Sequence, residues 1–325
     1  MIQLKRKIAR GDKNVATGVK IKDFLRKNYV GWLFNAPLFI GIVVFTLIPA
    51  CYSLYISFFR TNCVNVWDWR GFDNYIRVFT IDREMGKIAL NTLYYVLVSV
   101  PLGLVTSYLL AVLVNTTAVK GAKAFRIIYY LPCMIPAVAG AMLWIDMMKY
   151  TGTPSTYGFL NKVLHGLGLP PSQWVSSEGP KAIGSLFFIN LWGIGGGMVL
   201  WLSAFRSIDK QLYEAADIEG ASRFTRFYRI TIPMSTPMIF YNAIMSVIGT
   251  IQYNGTMMYS GGALPGKGHE NSLYMFGVKI YNESFRKMGA QGYAAALSWV
   301  MLLVIGVITL IMFKTSKWVF YGEDA

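Results

Sequence analysis

The sequence predicts an all-α integral membrane protein with six membrane-spanning helices. Three observations lead there. Hydrophobic residues make up 54% of the 325, and charged residues only 14%, against roughly 25% in soluble globular chains. The mean hydropathy is +0.43. The apolar residues are also gathered into six runs long enough to cross a hydrocarbon core of roughly 30 Å, which takes about 20 helical residues. This composition argues against a soluble enzyme, a disordered chain and a disulfide-rich secreted module.

The runs follow in order. The first, near 33–59, comes after a polar segment, 1–28, carrying nine Lys and Arg residues between Lys5 and Lys27. That run is too long for the apolar stretch of a cleavable signal peptide. The positive-inside rule puts the basic end in the cytoplasm, and six crossings return the C-terminal tail, 322–325, to the same side. Lys and Arg are more frequent in the segments assigned inside, although the outer loops are not poor in base. The net charge of +15 is thereby explained by basic segments facing anionic lipid, with no nucleic-acid partner expected. Tyr29 and Trp32 at one end, and Trp318 and Tyr321 at the other, suit interfacial anchors.

The second run, near 88–114, holds Pro101. The third, near 125–148, holds Pro132 and Pro136. Proline frees a backbone carbonyl and bends a helix, which lipid tolerates where neighbours or a cavity satisfy the freed group. The fourth run, near 183–205, contains Asn190-Leu-Trp-Gly-Ile-Gly-Gly-Gly197. Gly193 and Gly197 form a GxxxG pair, read either as a close helix contact or as a hinge. The fifth run, near 233–260, holds Pro237, and the sixth lies near 292–313.

Several apparent motifs carry no chemistry. Cys51, Cys63 and Cys133 are too scattered for a disulfide framework or a metal site, and His165 and His269 stand alone. Gly261-Gly-Ala-Leu-Pro-Gly-Lys-Gly268 nearly spells a phosphate-binding loop, but Gly268 stands where a magnesium-binding hydroxyl is needed. It reads as a turn at a helix end. The Asn-x-Ser/Thr matches at Asn115, Asn254 and Asn282 read as accidental.

The loop between the fourth and fifth runs, about 206–233, is the informative segment. Asp209 is placed to cap a helix starting at Lys210. Ile208 and Tyr213 have the spacing of a hydrophobic staple. Gly220 suits the left-handed residue that ends the helix. Ser222 then caps a second short helix bearing Arg223, Arg226 and Arg229, and Pro233 fits the first turn of the fifth span. Ala215 and Ala216 leave the first helix with little bulk, so another protein can approach its backbone. An amphipathic helix resting on lipid fits the same residues equally well.

Glu214-Ala215-Ala216, three residues, Gly220, nine residues and Ile230-Thr231-Ile232-Pro233 resemble the EAA loop of ABC importer permeases. The one departure is Ile232, where leucine is usual. The chain is similar to the sugar-uptake branch of these permeases, the multiple-sugar, glycerol-3-phosphate and maltose type, in further places. These are Pro37 and Pro49, Gly71-Phe-Asp-Asn-Tyr75, Tyr130-Leu-Pro132, Gly292-Tyr-Ala-Ala-Ala-Leu-Ser-Trp299 and the final Trp318-Val-Phe-Tyr321. The likeness covers most of 29–321 and omits 1–28.

The resemblance implies the type I importer permease fold. It implies that Glu214, Ala215, Ala216 and Gly220 couple to a cytoplasmic ATPase. The expected partners are two such ATPase subunits holding ATP and Mg, a second homologous permease subunit and an extracytoplasmic solute-binding protein. No catalysis and no cofactor are expected in this chain. The solute would be a carbohydrate, an oligosaccharide above all, and the alternative is glycerol-3-phosphate or another small polar solute. Sugars need hydrogen-bonding groups and aromatic platforms. Asn190 and Trp192 in the fourth span, and Asn242, Ser246, Gln252, Tyr253 and Asn254 in the fifth, are the path candidates, each weighed against ordinary interhelical hydrogen bonding. A gradient-driven carrier would need ionisable groups deep in the spans. Asp146, near a span end with Lys149, is thin support for one. No paired acids or His-Ser arrangement suggests an intramembrane enzyme.

Overall fold

The structure is a computed structural model describing residues 29–115, 121–259 and 266–320. The basic segment 1–28, Ser260, Gly261 to Pro265 of the glycine-rich turn, Tyr321 and the tail 322–325 lie outside the described residues.

The chain divides between Ile56 and Ser57 into two units. The first is helical, with α1 (Tyr29–Ile42) and α2 (Ile48–Ile56) joined by a π turn at Val43–Leu47. The widened turn lies just ahead of Pro49, whose missing N–H interrupts the helical ladder. Leu33–Ile56 is apolar and long enough to span a membrane.

The second unit opens with an antiparallel hairpin of β1 (Phe59–Thr61) and β2 (Trp67–Trp69), in register Phe59 opposite Trp69. The sequence reading had no strands. Asn74 holds the hairpin, its Nδ2 donating to the carbonyls of Ser57 and Phe59 at 2.8 and 2.9 Å. Asn74 belongs to the short α3 (Asp73–Ile76), which runs into a π turn at Arg77–Ile81. Then comes α4 (Met85–Asn115), which stays continuous through Pro101.

The third and fourth spans are each broken into two helices. The third is α5 (Ala122–Tyr130), a 3-10 turn at Leu131–Met134, and α6 (Ala137–Met147). Its halves are bent by 97°. Ile135 and Pro136 are extended, because a residue before proline is pushed out of the helical region. The fourth is α8 (Pro180–Trp192) and α9 (Gly195–Ser207), bent by 53°. Between these two spans lies α7 (Phe159–Gly166).

The two breaks lock into each other. A Cβ on Gly195 would stand 1.8 Å from the Tyr129 carbonyl oxygen, so only glycine lets α9 start against the end of α5. The Cys133 thiol donates to the Gly193 carbonyl at 3.1 Å and accepts from the Gly196 N–H at 3.0 Å. Gly197 packs on Ser107 of α4. The glycine run thus supplies both the close contact and the bend.

The loop that follows forms α10 (Lys210–Ile218) and α11 (Arg223–Arg226), and a π turn at Phe227–Thr231 leads into α12 (Ile232–Ile251). The fifth span therefore ends at Ile251, earlier than the sequence suggested. Gln252, Tyr253 and Asn254 lie beyond it, ahead of a 3-10 turn at Gly255–Met258. The last helices are α13 (Phe276–Phe285) and α14 (Gln291–Lys314). Among the described residues four helices are long and apolar enough to cross a membrane, and up to six spans result if each bent pair counts as one.

In the second unit, α4 runs through both main cores. Ile88 and Tyr95 pack with Trp144, Ile183, Leu186 and Tyr274 at one end. Tyr108, Ala111 and Val114 pack with Trp201, Leu202 and Phe205 at the other. Two buried hydrogen bonds pin the second core, Trp201 Nε1 to Ser107 Oγ at 2.9 Å and the Tyr108 and Ser235 hydroxyls at 2.9 Å. Leu90, Leu93 and Leu97 of α4 and Leu303, Val307 and Leu310 of α14 are exposed, as lipid-facing residues must be.

Candidate functional site

The loop at α10 and α11 is shaped by its local sequence. The Asp209 carboxylate accepts from the Gln211 N–H at 2.9 Å and caps α10, and the Ser222 hydroxyl accepts from the Thr225 N–H at 3.1 Å and caps α11. Gly220 has φ +75°. The Ala221 N–H reaches the Ala216 carbonyl and the Gly220 N–H the Asp217 carbonyl, which is the Schellman closure of a helix. Arg226 forms an ion pair with Asp217 across the turn.

The loop is fixed to the body on one side only. Ile208 is buried with Trp201 and Phe205, and Tyr213 packs beside them. The Tyr213 hydroxyl meets that of Thr231 at 2.9 Å. On the other side Glu214 and Ala215 are exposed and Ala216 is half-buried. Ile218 is 88% exposed and Phe224 76%, with Leu212 and Tyr228 exposed as well. Apolar side chains grouped on a charged loop make a surface fit for another protein.

At the other end of the cores, the two helix breaks open a cavity of about 480 Å3. Asn190, Trp192, Tyr253 and Asn254 line it together. Asn190 Nδ2 donates to the Tyr95 hydroxyl at 2.6 Å. The Tyr95 and Tyr253 rings lie 5.0 Å apart, and Trp192 meets Trp144 edge to face at 5.6 Å. Small residues, Ala137, Gly140 and Ala141, leave the room. Trp144, Met258 and Tyr259 are lining residues that the sequence reading did not single out.

Three path candidates do not line this cavity. Asn242 Nδ2 is bonded within its own helix, to the Met238 carbonyl at 2.9 Å. Ser246 is half-buried on α12, and Gln252 is exposed at its end.

A charged cluster ties the head of α4 to α13. Lys279 is 2% exposed, with its Nζ 2.7 Å from Asp82, 2.9 Å from Glu84 and 3.2 Å from Glu283. Lys267, from the glycine-rich turn, pairs with Glu84 at 2.7 Å, so its charge is engaged. Burial by itself would raise the Asp82 and Glu84 carboxyls. Hydrogen bonds from Lys279, joined by Tyr293 at Asp82 and by Lys267 at Glu84, outweigh it and hold both below their ordinary values. Burial would likewise lower Lys279, but its bonds to Asp82 and Glu84 hold it above its ordinary value.

Comparison with known proteins gives this architecture a family. Residues 87–319 match the model of the binding-protein-dependent transport system inner membrane component. The chain is 33% identical to the probable ABC transporter permease protein YesP of Bacillus subtilis over 95% of this chain and 97% of that one. It is 31% identical to the lactose transport system permease protein LacF of Rhizobium radiobacter, over 88% and 94%. Its fold also matches a subunit of a bacterial ABC transporter that imports the acidic polysaccharide alginate, at a TM-score of 0.76 and 23% identity, over 92% of this chain and 98% of that one. Four to six apolar helical spans among the described residues and the family match over most of the chain agree: the chain belongs to the binding-protein-dependent transport inner membrane components, the permease subunits of ABC importers.

Proposed function

We propose that this chain forms part of the translocation path for a neutral carbohydrate, an oligosaccharide above all, and transmits the work of a separate ATPase through α10 and α11. The observation that carries the substrate class is the cavity of about 480 Å3 at the helix breaks. It joins amide groups, Asn190 and Asn254, to the rings of Trp144, Trp192, Tyr253 and Tyr259. Aromatic faces stack on the C–H faces of sugars while amides take the hydroxyls. No charged side chain lines it among the described residues, which favours a neutral sugar over glycerol-3-phosphate. The names of relatives that transport lactose, trehalose/maltose and arabinooligosaccharides point the same way.

In this reading the N- and C-termini and the α10–α11 loop face the cytoplasm, and the segments 1–28, 29–321 and 322–325 are an extension, the permease domain and a tail. Glu214, Ala215, Ala216 and Gly220 form the contact with one of two ATPase subunits, which hold ATP and Mg. A second permease subunit completes the path, and an extracytoplasmic binding protein delivers the solute. Nucleotide shifts the permease between inward- and outward-facing states through its different affinity for the two.

Affinity purification of the full chain from native membranes, with mass spectrometry of what accompanies it, tests the assembly. An ATPase and a second permease are expected. The binding protein encoded with them then supplies the solute for uptake assays. Trp192→Ala and Asn254→Ala are expected to raise the KM for uptake about tenfold each, one lost hydrogen bond or stacking contact apiece. Uptake that survives without any ATPase would return the gradient-driven carrier to consideration.

A further inference from the structure

A second cavity, of about 580 Å3, lies between the hairpin, α3 and the turn joining α13 to α14. It shares no lining residue with the cavity at the helix breaks. Its wall is charged, with Arg60, Arg70, Arg77 and Lys287 facing Asp73 and Glu283. Arg70 is paired with Asp68 at 2.7 Å, and Lys287 with Glu283. Arg77 lies over the Tyr293 ring, 4.3 Å from its centroid. Neither Arg77 nor Arg60 has a carboxylate partner among the described residues.

Glu283 gives the cavity a second chemistry. Its side chain is 1% exposed. Its Oε1 meets Lys279 and Lys287, while its Oε2 has no hydrogen-bond partner among the described residues. A buried carboxylate oxygen without a donor is costly, so a donor brought by a ligand would be held there. The cavity therefore combines two guanidinium groups that have no carboxylate partner among the described residues with a wall carboxylate that keeps one oxygen unpaired.

Its place in the chain selects the ligand. Ile81 in its wall comes just before α4, and Ala290 comes directly before α14, so the cavity sits where two spans begin. Trp67, Trp69, Phe72 and Phe79 are exposed on the hairpin and α3 side, and Phe285 and Met288 on the other. Tryptophan, arginine and apolar residues together at span ends are the composition of a membrane–water interface. Arginine takes a phosphodiester through paired N–H donors, and a lipid headgroup is the phosphodiester found at that level. We propose that this cavity holds the headgroup of a phosphatidylglycerol-type lipid. Arg60 and Arg77 meet the phosphodiester oxygens, and Glu283 Oε2 accepts from a headgroup hydroxyl. This assignment does not depend on which solute the protein transports.

The test uses the full chain purified in mild detergent, with bound lipid counted by native mass spectrometry. Phosphatidylglycerol is expected to be retained about tenfold better than phosphatidylcholine, whose phosphodiester carries a quaternary ammonium that the arginines repel and no hydroxyl to donate. Phosphatidylmethanol, which keeps the phosphodiester but lacks the hydroxyls, falls between them. Arg60→Gln combined with Arg77→Gln is expected to lower phosphatidylglycerol retention about tenfold, whereas Lys162→Gln, an exposed base on α7, leaves it unchanged. A melting temperature measured on each variant shows that it is folded, and the comparison of the three lipids on the wild type needs no variant. Equal retention of the three lipids overturns the proposal, as does a folded arginine variant that keeps phosphatidylglycerol. Glycerol phosphate binding as tightly as the lipid would make the ligand a soluble phosphate ester instead. Loss of binding-protein capture in the arginine variant, with lipid retention unchanged, would make the cavity a protein-docking site.

Discussion

At Gly195 a single hydrogen decides how two spans meet. Its α-carbon faces the Tyr129 carbonyl so closely that an added Cβ would overlap the oxygen at 1.8 Å. The obstacle is backbone, which cannot swing aside as a flexible side chain does. Gly195→Ala is expected to cost at least the roughly 1–3 kcal/mol typical of overpacking. It would lower the melting temperature of the purified chain, while Gly184→Ala, with nothing within 4 Å of its added Cβ, would not. A melting temperature unchanged by Gly195→Ala would mean that the breaks do not pack as described. The sequence marked Gly193 and Gly197 but not this residue, because the reason for it lies on another helix. Asp209, Ser222 and Gly220 were legible, since capping and the left-handed turn are local rules. Asn190, Trp192, Tyr253 and Asn254 were legible as types, polar and aromatic groups within the fourth and fifth runs. What separated them from Asn242 was a bond inside α12, which the sequence does not reveal.

At the scale of elements, apolar length was the reliable signal and continuity was not. The helices at Leu33–Ile56, Met85–Asn115 and Gln291–Lys314 fall close to the runs read from the sequence. The runs at 125–148 and 183–205 hid bends of 97° and 53°, since an apolar count is blind to direction. Pro101 and Pro237 remain inside helices while Pro136 stands at a break, so proline alone does not locate one. The hairpin and α13 were missed because each is stabilised by distant partners, Asn74 for the hairpin and the Lys279 cluster for α13. That cluster carries its own pH dependence. Asp82 and Glu84 titrate below their ordinary values of 3.8 and 4.5 in the folded chain. Their contribution is complete above those ordinary values and is lost as the pH falls through the lowered ones. Lys279 titrates above its ordinary 10.5, so its contribution is complete below that value and is lost only in stronger base. The melting temperature is therefore expected to stay level from about pH 5 to about pH 9 and to fall in acid. Asp82→Asn should cost about 1–3 kcal/mol at neutral pH, one charge-assisted hydrogen bond, and should flatten the acid limb. A variant with the full acid limb would place the titration elsewhere.

Across the whole second unit, the cavity and the α10–α11 loop are joined by continuous structure. α4 runs from Tyr95, which holds Asn190 at the cavity, to Tyr108 and Val114 in the core that seats Ile208 and Tyr213. The interlocked breaks lie along the same route, because Gly195 and Gly196 begin the helix that ends at Ser207, just ahead of the loop. A push on the loop therefore reaches the breaks through α9 with few soft joints between. Cys133 sits at that junction, bonded to the Gly193 carbonyl and the Gly196 N–H, and it is exposed. If ATP drives the permease between two states, any change in the angle between α8 and α9 must disturb the Cys133 bonds that tie the two breaks together. In a Cys51→Ser, Cys63→Ser background, maleimide labelling of Cys133 in the assembled complex is expected to change several-fold when a non-hydrolysable ATP analogue is added. Glu214→Lys leaves the exposed loop folded but reverses the charge on its outer face, so it should remove the nucleotide effect while leaving the basal labelling rate unchanged. A wild-type rate indifferent to nucleotide would mean that the breaks are rigid and that the motion passes elsewhere, while a nucleotide effect surviving Glu214→Lys would place the ATPase contact on other residues of the loop.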